Sequence, residues 1–437
     1  GNEYVLGEDE AFRFADKAAG WFLHAGYDTI AGMGITVDDV SAVQDRSTLM
    51  VDEEARRYGF DVRIRYVRTD TRKIGTIEHV ETAMSSKDVV VVVKLEEVDT
   101  SVASLDILLI STAGAKDVKT YTDPEDIAKD YTAESAVYKK AKVMMGQGKA
   151  KPTPASLIKK VKVVGFAEPE SPEALVNAIK TFQDKDNDWY MFLTDQHEDA
   201  YIKALAAFAA DSEPSEAELT AGVEDHRKFY FAETDNKELK ITDRRTAVIY
   251  TENLAEQAEA AWIGSAGPWY PQSVTWKFKM PVGVSVPSLK ESELAILEEN
   301  HVNWVTNEYK KNYIKNGCCA DGEWIDTILG GDWIAKTMRE KLYNIFTSNE
   351  TIPYTDAGFT IVAAGVFETL DQAADYGIIA TDPESGAGVY NVSVPKRSAA
   401  TDQQAALRQM PDIPWEAQLA GAVHGVKISG TLKVTLN

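Results

Sequence analysis

Between residues 105 and 262, segments patterned like β-strands alternate with segments patterned like α-helices, and this order strongly limits the possible folds. Strands are expected at Leu105–Ser111, Val161–Phe166, Trp189–Leu193, Lys228–Ala232 and Thr246–Thr251. Strands that alternate with helices favour a mostly parallel sheet covered by helices on both faces. The sequence therefore predicts an α/β fold with a mixed, largely parallel sheet and flanking helices.

The helices between these strands carry recognisable start signals. The first is expected to begin at Thr122–Pro124, with a polar cap and a proline in its first turn, and to run to about Met145. The second opens at Ser171 and Pro172 in the same way. Two more are expected at Glu198–Ala210 and Leu254–Trp262.

Beyond residue 270 the pattern becomes that of an α+β region. Alternating apolar residues predict a strand over Val274–Met280, and a hairpin is expected over Tyr313–Ile328, with its turn near Gly317–Gly322. Asp332 is expected to cap a helix over Trp333–Phe346. Further elements are expected after and between these, namely helices at Leu289–Glu299 and Phe359–Asp375, a strand at Tyr390–Val394 and a polar loop at Pro395–Leu407.

The last twelve residues, Val426–Asn437, alternate strictly between apolar and polar side chains, which predicts a β-strand. One side of that strand would carry five apolar residues, namely Val426, Ile428, Leu432, Val434 and Leu436. Its backbone hydrogen-bonding groups need a partner, which is either the sheet of the same chain or a neighbouring copy. The residues of the strand alone leave both alternatives open.

A second segment of this kind is the valine run Val89–Val93, which ends at Lys94 and Leu95. β-Branched residues favour an extended backbone, and Val89, Val91, Val93 and Leu95 share one side of it. The run is interpreted either as a strand buried on both faces or as an arm that becomes buried when it docks.

Composition excludes several classes of partner. The formal net charge of −23 argues against nucleic acid and against an anionic membrane, because both are bound through basic patches. No apolar run is long enough to span a bilayer, and no secretory signal is recognisable. The only cysteines are the adjacent Cys318 and Cys319, which favours folding in the cytoplasm.

The sequence offers no convincing catalytic or metal site. Gly146–Lys149 lacks the spacing of a phosphate-binding loop, and the six histidines are scattered. Asp321, Glu323, Asp326 and Asp332 are close in sequence and could supply acid–base groups or metal ligands, but solvated hairpin charges and a helix cap explain them equally well. No catalytic residue, cofactor or metal is therefore expected.

Four stretches resemble the contractile tail sheath proteins of bacteriophages. The first runs from Asp321 to Ile334 and includes Trp324, Asp326, Asp332 and Trp333. It is followed by Leu342–Phe346 and by Ile352–Gly358, in which Pro353, Tyr354 and Gly358 carry the match. The fourth is Leu419–Leu432, and Tyr121 with its following helix adds to them. The resemblance covers roughly residues 84–437, whereas residues 1–83 look like part of a small tail-completion protein.

The resemblance implies a structural subunit that stacks as hexameric rings around a tail tube and contracts to drive the tube through the host envelope. It implies exchanged terminal strands, with Val89–Leu95 and Val426–Leu436 as donors. Implied partners are other copies of the chain, the tail tube protein, and baseplate and tail terminator proteins, in a virion tail assembled in the host bacterial cytoplasm.

The expected domain organisation has five parts. These are a small α+β extension at 1–83, an arm and linker at 84–104, an α/β domain at 105–270, an α+β sheath core at 271–425 and a donor strand at 426–437. Two other functions stay open, namely a tail or baseplate component that forms rings without contracting, and an α/β enzyme with a pocket at the carboxyl edge of its sheet.

Overall fold

The structure is a computed structural model that describes residues 17, 36–40, 44–45, 48–50, 53–55, 58–59, 62–65, 106–147, 158–215, 226–271 and 274–426. The chain divides into two compact units, Gly1–Thr100 and Ser101–Asn437. The valine run at Val89–Leu95 and the terminal residues after Val426 therefore lie outside the described residues.

The backbone of the first unit forms three antiparallel strand pairs: β1 (Thr36–Val40) with β6 (Val62–Arg65), β2 (Gln44–Asp45) with β5 (Tyr58–Gly59), and β3 (Thr48–Met50) with β4 (Glu53–Ala55). Each later pair is nested within the one before. The described part of this unit is therefore built from local antiparallel pairing.

The second unit is built around an eight-stranded sheet. Its strands are β7 (Ile107–Ser111), β8 (Lys116–Tyr121), β9 (Val161–Gly165), β10 (Met191–Thr194), β11 (Phe229–Thr234), β12 (Thr246–Tyr250), β13 (Asn303–Glu308) and β14 (Lys311–Ile314). Their order across the sheet is β14-β13-β12-β11-β10-β7-β9-β8. The six central strands are parallel, and the two edge strands β8 and β14 are antiparallel to their neighbours. The predicted mixed, largely parallel sheet is confirmed.

Nine α-helices accompany the sheet in the described part of the chain. They are α1 (Pro124–Tyr131), α2 (Ala136–Gly146), α3 (Pro172–Gln183), α4 (Asp199–Asp211), α5 (Ala258–Ala266), α6 (Glu291–Glu299), α7 (Ile325–Ser348), α8 (Asp356–Asp375) and α9 (Asp402–Ala406). Side-chain caps explain several starts, because Asp123, Ser135 and Ser171 accept hydrogen bonds from the first turns of α1, α2 and α3.

The central strands are buried on both faces, and alternate residues feed two separate cores. Ile107 and Leu109 of β7 belong to the core that includes residues of α1, α2, α5 and α7. Leu108 and Ile110 belong to the opposite core, beneath α3, α4 and α6. Because successive strand residues point to opposite faces, a buried parallel strand must be apolar throughout.

A third core holds the C-terminal elements together. It joins Trp333 and Ile334 of α7 to Val366 and Leu370 of α8, with Ile378 and Ile379 behind them. The short pair β15 (Tyr390–Val392) and β16 (Trp415–Ala417) packs against this core through Tyr390, Val392 and Ala417.

Four local expectations differ from the structure. Val274–Met280 is not a strand: Trp276 is buried between Phe231 and Trp262, and Phe278 has a positive φ of 62°. The hairpin lies at β13–β14 and not at Tyr313–Ile328, since α7 already begins at Ile325. The single helix expected from Thr122 to Met145 is split at Thr132 (φ 78°) into α1 and α2. The loop expected at Pro395–Leu407 contains α9, which Thr401 caps.

Candidate subunit interface

The family-motif residues Trp324, Asp326, Asp332 and Trp333 all lie at the start or in the first half of α7. Trp324 is the residue immediately before the helix and is 39% exposed, and Asp326 lies in the first turn. Asp332 lies seven residues past the first residue of α7, so the expectation that it caps a helix is wrong. The capping prediction failed because α7 begins at Ile325, eight residues before the predicted start.

Asp332 instead joins α7 to the amino ends of the parallel strands. Its carboxylate accepts a hydrogen bond from the hydroxyl of Tyr190 at 2.5 Å and another from the guanidinium of Arg245, and Arg227 Nε lies 3.6 Å from it. Burial alone would lower the pKa of Arg245, but the charge and hydrogen bond of Asp332, together with Tyr190 and Glu213, outweigh burial and raise this pKa above the ordinary value. The arginine is therefore charged, and the pair fixes α7 to the sheet.

The second motif, Pro353–Gly358, forms the tight entry into α8. Thr355 caps the helix by accepting from the backbone NH of Gly358 at 3.3 Å, and a Cβ on Gly358 would lie 1.8 Å from the Pro353 carbonyl oxygen. Tyr354 donates to the Gln409 carbonyl at 2.7 Å and lies beneath the guanidinium of Arg397 at 4.6 Å. The motif thus holds the long connection between β15 and β16 against α8.

The pair β15–β16 is a two-stranded antiparallel sheet whose outer edges are open among the described residues. Hydrogen bonds from Gln418 N to Val389 O (3.0 Å) and from Ser393 N to Pro414 O (2.9 Å) flank the paired residues. Because antiparallel hydrogen bonding alternates, the amide groups of Asn391 and Glu416 face each other, and those of Val392 and Ala417 point outward. A sheet of only two strands has little stability of its own, and its unpaired edge groups can form hydrogen bonds with further strands.

Exposed apolar side chains lie on β16 and on the chain that follows it. Trp415 of β16 is 41% exposed, and beyond the strand Leu419 is 50% exposed, Val423 85% and Val426 80%. Exposed apolar groups of this kind are typical of surfaces that bind other molecules.

Val426 is the one predicted donor residue within the described part of the chain, and it is exposed. Its predicted companions Ile428, Leu432, Val434 and Leu436 lie outside the described residues, as do Val89, Val91, Val93 and Leu95. Strand exchange by either terminus therefore remains a prediction.

The carboxyl edge of the sheet, where an α/β enzyme would hold its ligand, carries polar side chains that bind one another. Asp195 accepts from the backbone NH and the hydroxyl of Thr112, both at 2.8 Å, and from the hydroxyl of Ser111 at 3.2 Å. Gln196 donates to the Thr112 hydroxyl at 2.7 Å. These contacts tie the ends of β7 and β10 together.

A buried ionic cluster lies nearby, where Lys140 of α2 contacts both Glu233 of β11 and Glu259 of α5. Glu233 also accepts from the backbone NH of Ala258 at 2.6 Å, and His197 lies 3.7 Å from it. Burial and the charge of Glu259 raise the pKa of Glu233, whereas Lys140 outweighs burial and lowers the pKa of Glu259. The lysine therefore pairs with one ionised glutamate, an arrangement that joins two helices to the sheet.

A cleft of about 1400 Å³ in the second unit is open to solvent. Its wall beside α7 includes Asp106, Tyr190 and Lys228, which precede β7, β10 and β11. That wall lies at the amino ends of the parallel strands, opposite the edge at which α/β enzymes bind ligands.

In the part of the chain that the structure describes, no three His, Cys, Asp or Glu side chains are grouped to hold a metal ion. None of the described helices combines the length and apolarity needed to cross a membrane. The expectation that the protein needs no cofactor remains a prediction.

Sequence reasoning missed the second strand of the open sheet. A strand was expected at Tyr390–Val394 and is found at Tyr390–Val392, but its partner Trp415–Ala417 is only three residues long and carries no clear alternation. The aromatic Trp415 after Pro414 is the only local signal. Tertiary packing on α8 is what brings the two segments together.

Two family models match parts of the chain. Residues 4–89 match the phage neck terminator protein family, and residues 325–432 match the C-terminal domain of E217 tail sheath protein gp31-like proteins. The second match contains the first motif from Ile325 onward, the second motif and the open sheet. No curated protein sequence matches the chain.

Solved structures with the same fold come from contractile injection systems. The anti-feeding prophage baseplate structure, 6-fold symmetrised, contains a chain that matches with a TM-score of 0.56 and 13% identity, over 84% of this chain and 100% of that one. For the anti-feeding prophage helical sheath in its contracted state, the TM-score is 0.55 and the identity 12%, over 83% of this chain and 99% of that one. For the contracted sheath complex of the extracellular contractile injection system PVC, the TM-score is 0.52 and the identity 10%, over 81% of this chain and 99% of that one.

The predicted resemblance is therefore confirmed: the chain has the fold of contractile sheath proteins, and its residues 325–432 match the model of a phage tail sheath C-terminal domain.

Proposed function

We propose that this protein is the structural subunit of a contractile phage tail sheath, which polymerises as stacked hexameric rings around a tail tube. On release by the baseplate, the polymer contracts and drives the tube through the host envelope. The proposal places the protein in the virion tail, after assembly in the host bacterial cytoplasm, and it assigns no catalytic activity.

The observation that carries the proposal is the open sheet β15–β16 in a chain with a sheath fold. Its two strands leave outward amide groups at Val392 and Ala417, next to exposed apolar side chains. Addition of strands from neighbouring copies would satisfy those groups and cover the apolar surface.

The donor strands that we propose are Val89–Leu95 and Val426–Leu436. Val426–Leu436 has one apolar side and the valine run has two, and a strand needs such a side in order to lie on a partly covered core. Each added backbone hydrogen bond contributes about 1 kcal/mol net, and the buried apolar side chains add more. Such a joint can remain paired while the connecting segments change direction.

The energy for contraction would come from new contacts between subunits in the contracted lattice and not from a hydrolysed nucleotide. The sequence lacks the spacing of a phosphate-binding loop, which agrees with this view. The proposed partners are other copies of this chain, the tail tube protein, and baseplate and terminator proteins. The match of residues 4–89 to the phage neck terminator protein family supports a role in a phage tail.

The test is assembly of a chain that ends at Val426, compared with the full chain by sedimentation and negative-stain electron microscopy. The full protein is expected to form long tubes, and the shortened one to stay soluble and folded without forming them. Normal tubes from the shortened chain would contradict strand donation by this terminus.

The same images distinguish the two alternative functions. Isolated rings that do not extend would favour a baseplate or tail component that does not contract. A monomer or small oligomer from the full chain would favour the α/β enzyme.

A further inference from the structure

The last described residues, 421–426, are exposed to solvent with a single exception. Residues 421–423 and 425–426 are all exposed, and Val423 and Val426 retain 85% and 80% of their accessible surface. His424 alone in this segment is half-buried. A single covered side chain in an exposed segment indicates a specific contact.

His424 is held by two separate parts of the second unit. Its Nε2 lies 2.7 Å from the hydroxyl of Thr275, and its ring meets the ring of Trp324 edge-on at 4.3 Å. Phe278 adds a third ring contact at 6.3 Å. The site thus combines one hydrogen bond with an aromatic pair, a geometry that favours one ring orientation.

Both parts that hold His424 are themselves fixed. Trp324 is the cap position of α7, which the third core and Asp332 anchor. The loop with Thr275 is tied to β14 by hydrogen bonds from Phe278 N to Ile314 O (3.0 Å) and from Ile314 N to Lys279 O (2.8 Å). The contact therefore gives the chain a defined point of attachment.

Before this point the chain is attached again, to the segment that follows α8, by a hydrogen bond from Ala420 N to Ile378 O at 3.0 Å. Between the two attachments Gly421 has a φ of +62°, a conformation that favours glycine, and it turns the chain toward Trp324. The segment thus leaves the open sheet of its own subunit and crosses to the α7 cap.

We propose that His424, Trp324 and Thr275 form a clasp that fixes the point at which the C-terminal donor strand leaves its own subunit. The inference rests on the proposed strand exchange and adds a positioning role to it. With the clasp closed, only the residues after His424 are free to reach the neighbouring copy, a span of about 43 Å when fully extended. A fixed origin keeps the donor strand near one acceptor edge and in one register.

The clasp can be tested on unassembled full-length protein by limited trypsin digestion, because Lys427 is the first tryptic site after the clasp. His424→Ala is expected to speed cleavage at Lys427 at least fivefold. Val423→Ala, at an exposed neighbouring residue, is the matched control and should cleave at the wild-type rate. Equal rates for both variants would overturn the clasp.

Two further variants separate a positional role from a folding defect. Thr275→Val removes only the hydrogen-bonding hydroxyl, and His424→Phe keeps an aromatic ring without the nitrogen. Both should cleave faster than wild type but more slowly than His424→Ala, with unchanged denaturant unfolding. Wild-type cleavage rates for both would contradict the assigned contacts.

Charge offers an independent readout. Burial and the nearby Lys277 lower the pKa of His424, although Asp326 partly opposes them, so the neutral ring is the bound form. The clasp should then be fully formed above the ordinary histidine pKa of about 6.5 and weaken as the pH falls through the lower bound-state value. In an NMR titration of the histidine rings, the resonance with this lowered pKa should be absent from His424→Phe, and its pKa should be higher in Thr275→Val. An ordinary pKa for His424 in the wild-type protein would contradict the clasp.

Assembly distinguishes failure of the clasp from failure of strand exchange. If strand exchange and the clasp both operate, the chain ending at Val426 gives no tubes, and His424→Ala gives at least threefold fewer than Val423→Ala. Tubes from the shortened chain would refute strand exchange itself. No tubes from the shortened chain, with equal yields from the two point variants, would refute only the clasp.

Discussion

The parallel sheet and the C-terminal region differ in how many of their large apolar side chains are exposed to solvent. Among the described residues, none between 106 and 268 is an exposed large apolar side chain, whereas sixteen such side chains lie between Trp269 and Val426, one of them Tyr309 at the tip of the β13–β14 hairpin. The central strands of the sheet are covered on both faces by helices of the same chain, but β15–β16 has two strands and open edges. The first region is complete within one subunit, and the second has the surface of a part that is completed by other molecules.

The largest expected effect concerns the buried ion cluster of the complete region. Lys140→Met would leave Glu233 and Glu259 buried without their cation, and should lower the free energy of unfolding by about 3–5 kcal/mol. Urea denaturation followed by circular dichroism measures the change. Lys142→Met, on an exposed side chain of the same helix, is the control and should have little effect. Equal stabilities of the two variants would show that the cluster does not anchor α2 and α5.

The next effect concerns the entry into α8, in the region that we consider incomplete. Gly358→Ala places a Cβ within 1.8 Å of the Pro353 carbonyl oxygen and should destabilise the protein by about 1–3 kcal/mol. Gly331→Ala in α7 is the matched control, since a Cβ there meets no atom and alanine favours a helix. A stable Gly358→Ala protein would mean that this motif is not tightly packed.

A gain in stability is expected at the tip of the β13–β14 hairpin, at the edge of the complete sheet. Both loop residues, Tyr309 and Lys310, have positive φ values, 51° and 66°. Glycine and asparagine adopt this backbone conformation readily, whereas most other residues do not. The double change Tyr309→Asn and Lys310→Gly should therefore raise the free energy of unfolding by about 1 kcal/mol. Calorimetry measures it, and a loss of stability would show that Tyr309, although 97% exposed, supports the fold.

The smallest effect on the isolated subunit is expected at the open sheet, where the effect on assembly should be large. Val392→Pro and Ala417→Pro each remove an outward amide hydrogen and should change unfolding by less than about 1 kcal/mol. Together they should abolish tubes, because a docked strand needs those donors. Asn391→Pro is the contrasting variant, since it breaks the pairing within β15–β16. Normal tubes from the double variant would contradict strand addition at these edges.

Much of this protein could be predicted from its sequence because the relevant signals are local. Buried strands such as Ile107–Ser111 and capped helices such as Pro172–Gln183 are specified by their own residues, and their alternation predicted the parallel sheet. The motifs around Trp324 and Gly358 indicated the family for the same reason. The alternation in Val426–Asn437 predicted a strand without indicating which sheet would accept it, and the donor role was implied only by the family resemblance.

Only the tertiary structure decided the placement of groups that are distant in sequence. Asp332 was expected to cap a helix, but it pairs with Arg245, 87 residues away, since α7 begins earlier and its first turns lie beside the sheet. The partner of β15 and the contacts of His424 with Thr275 and Trp324 also depend on how α7 and α8 pack. Periodicity reports which face of an element is buried, whereas the choice of neighbour is made by long-range packing that no local pattern encodes.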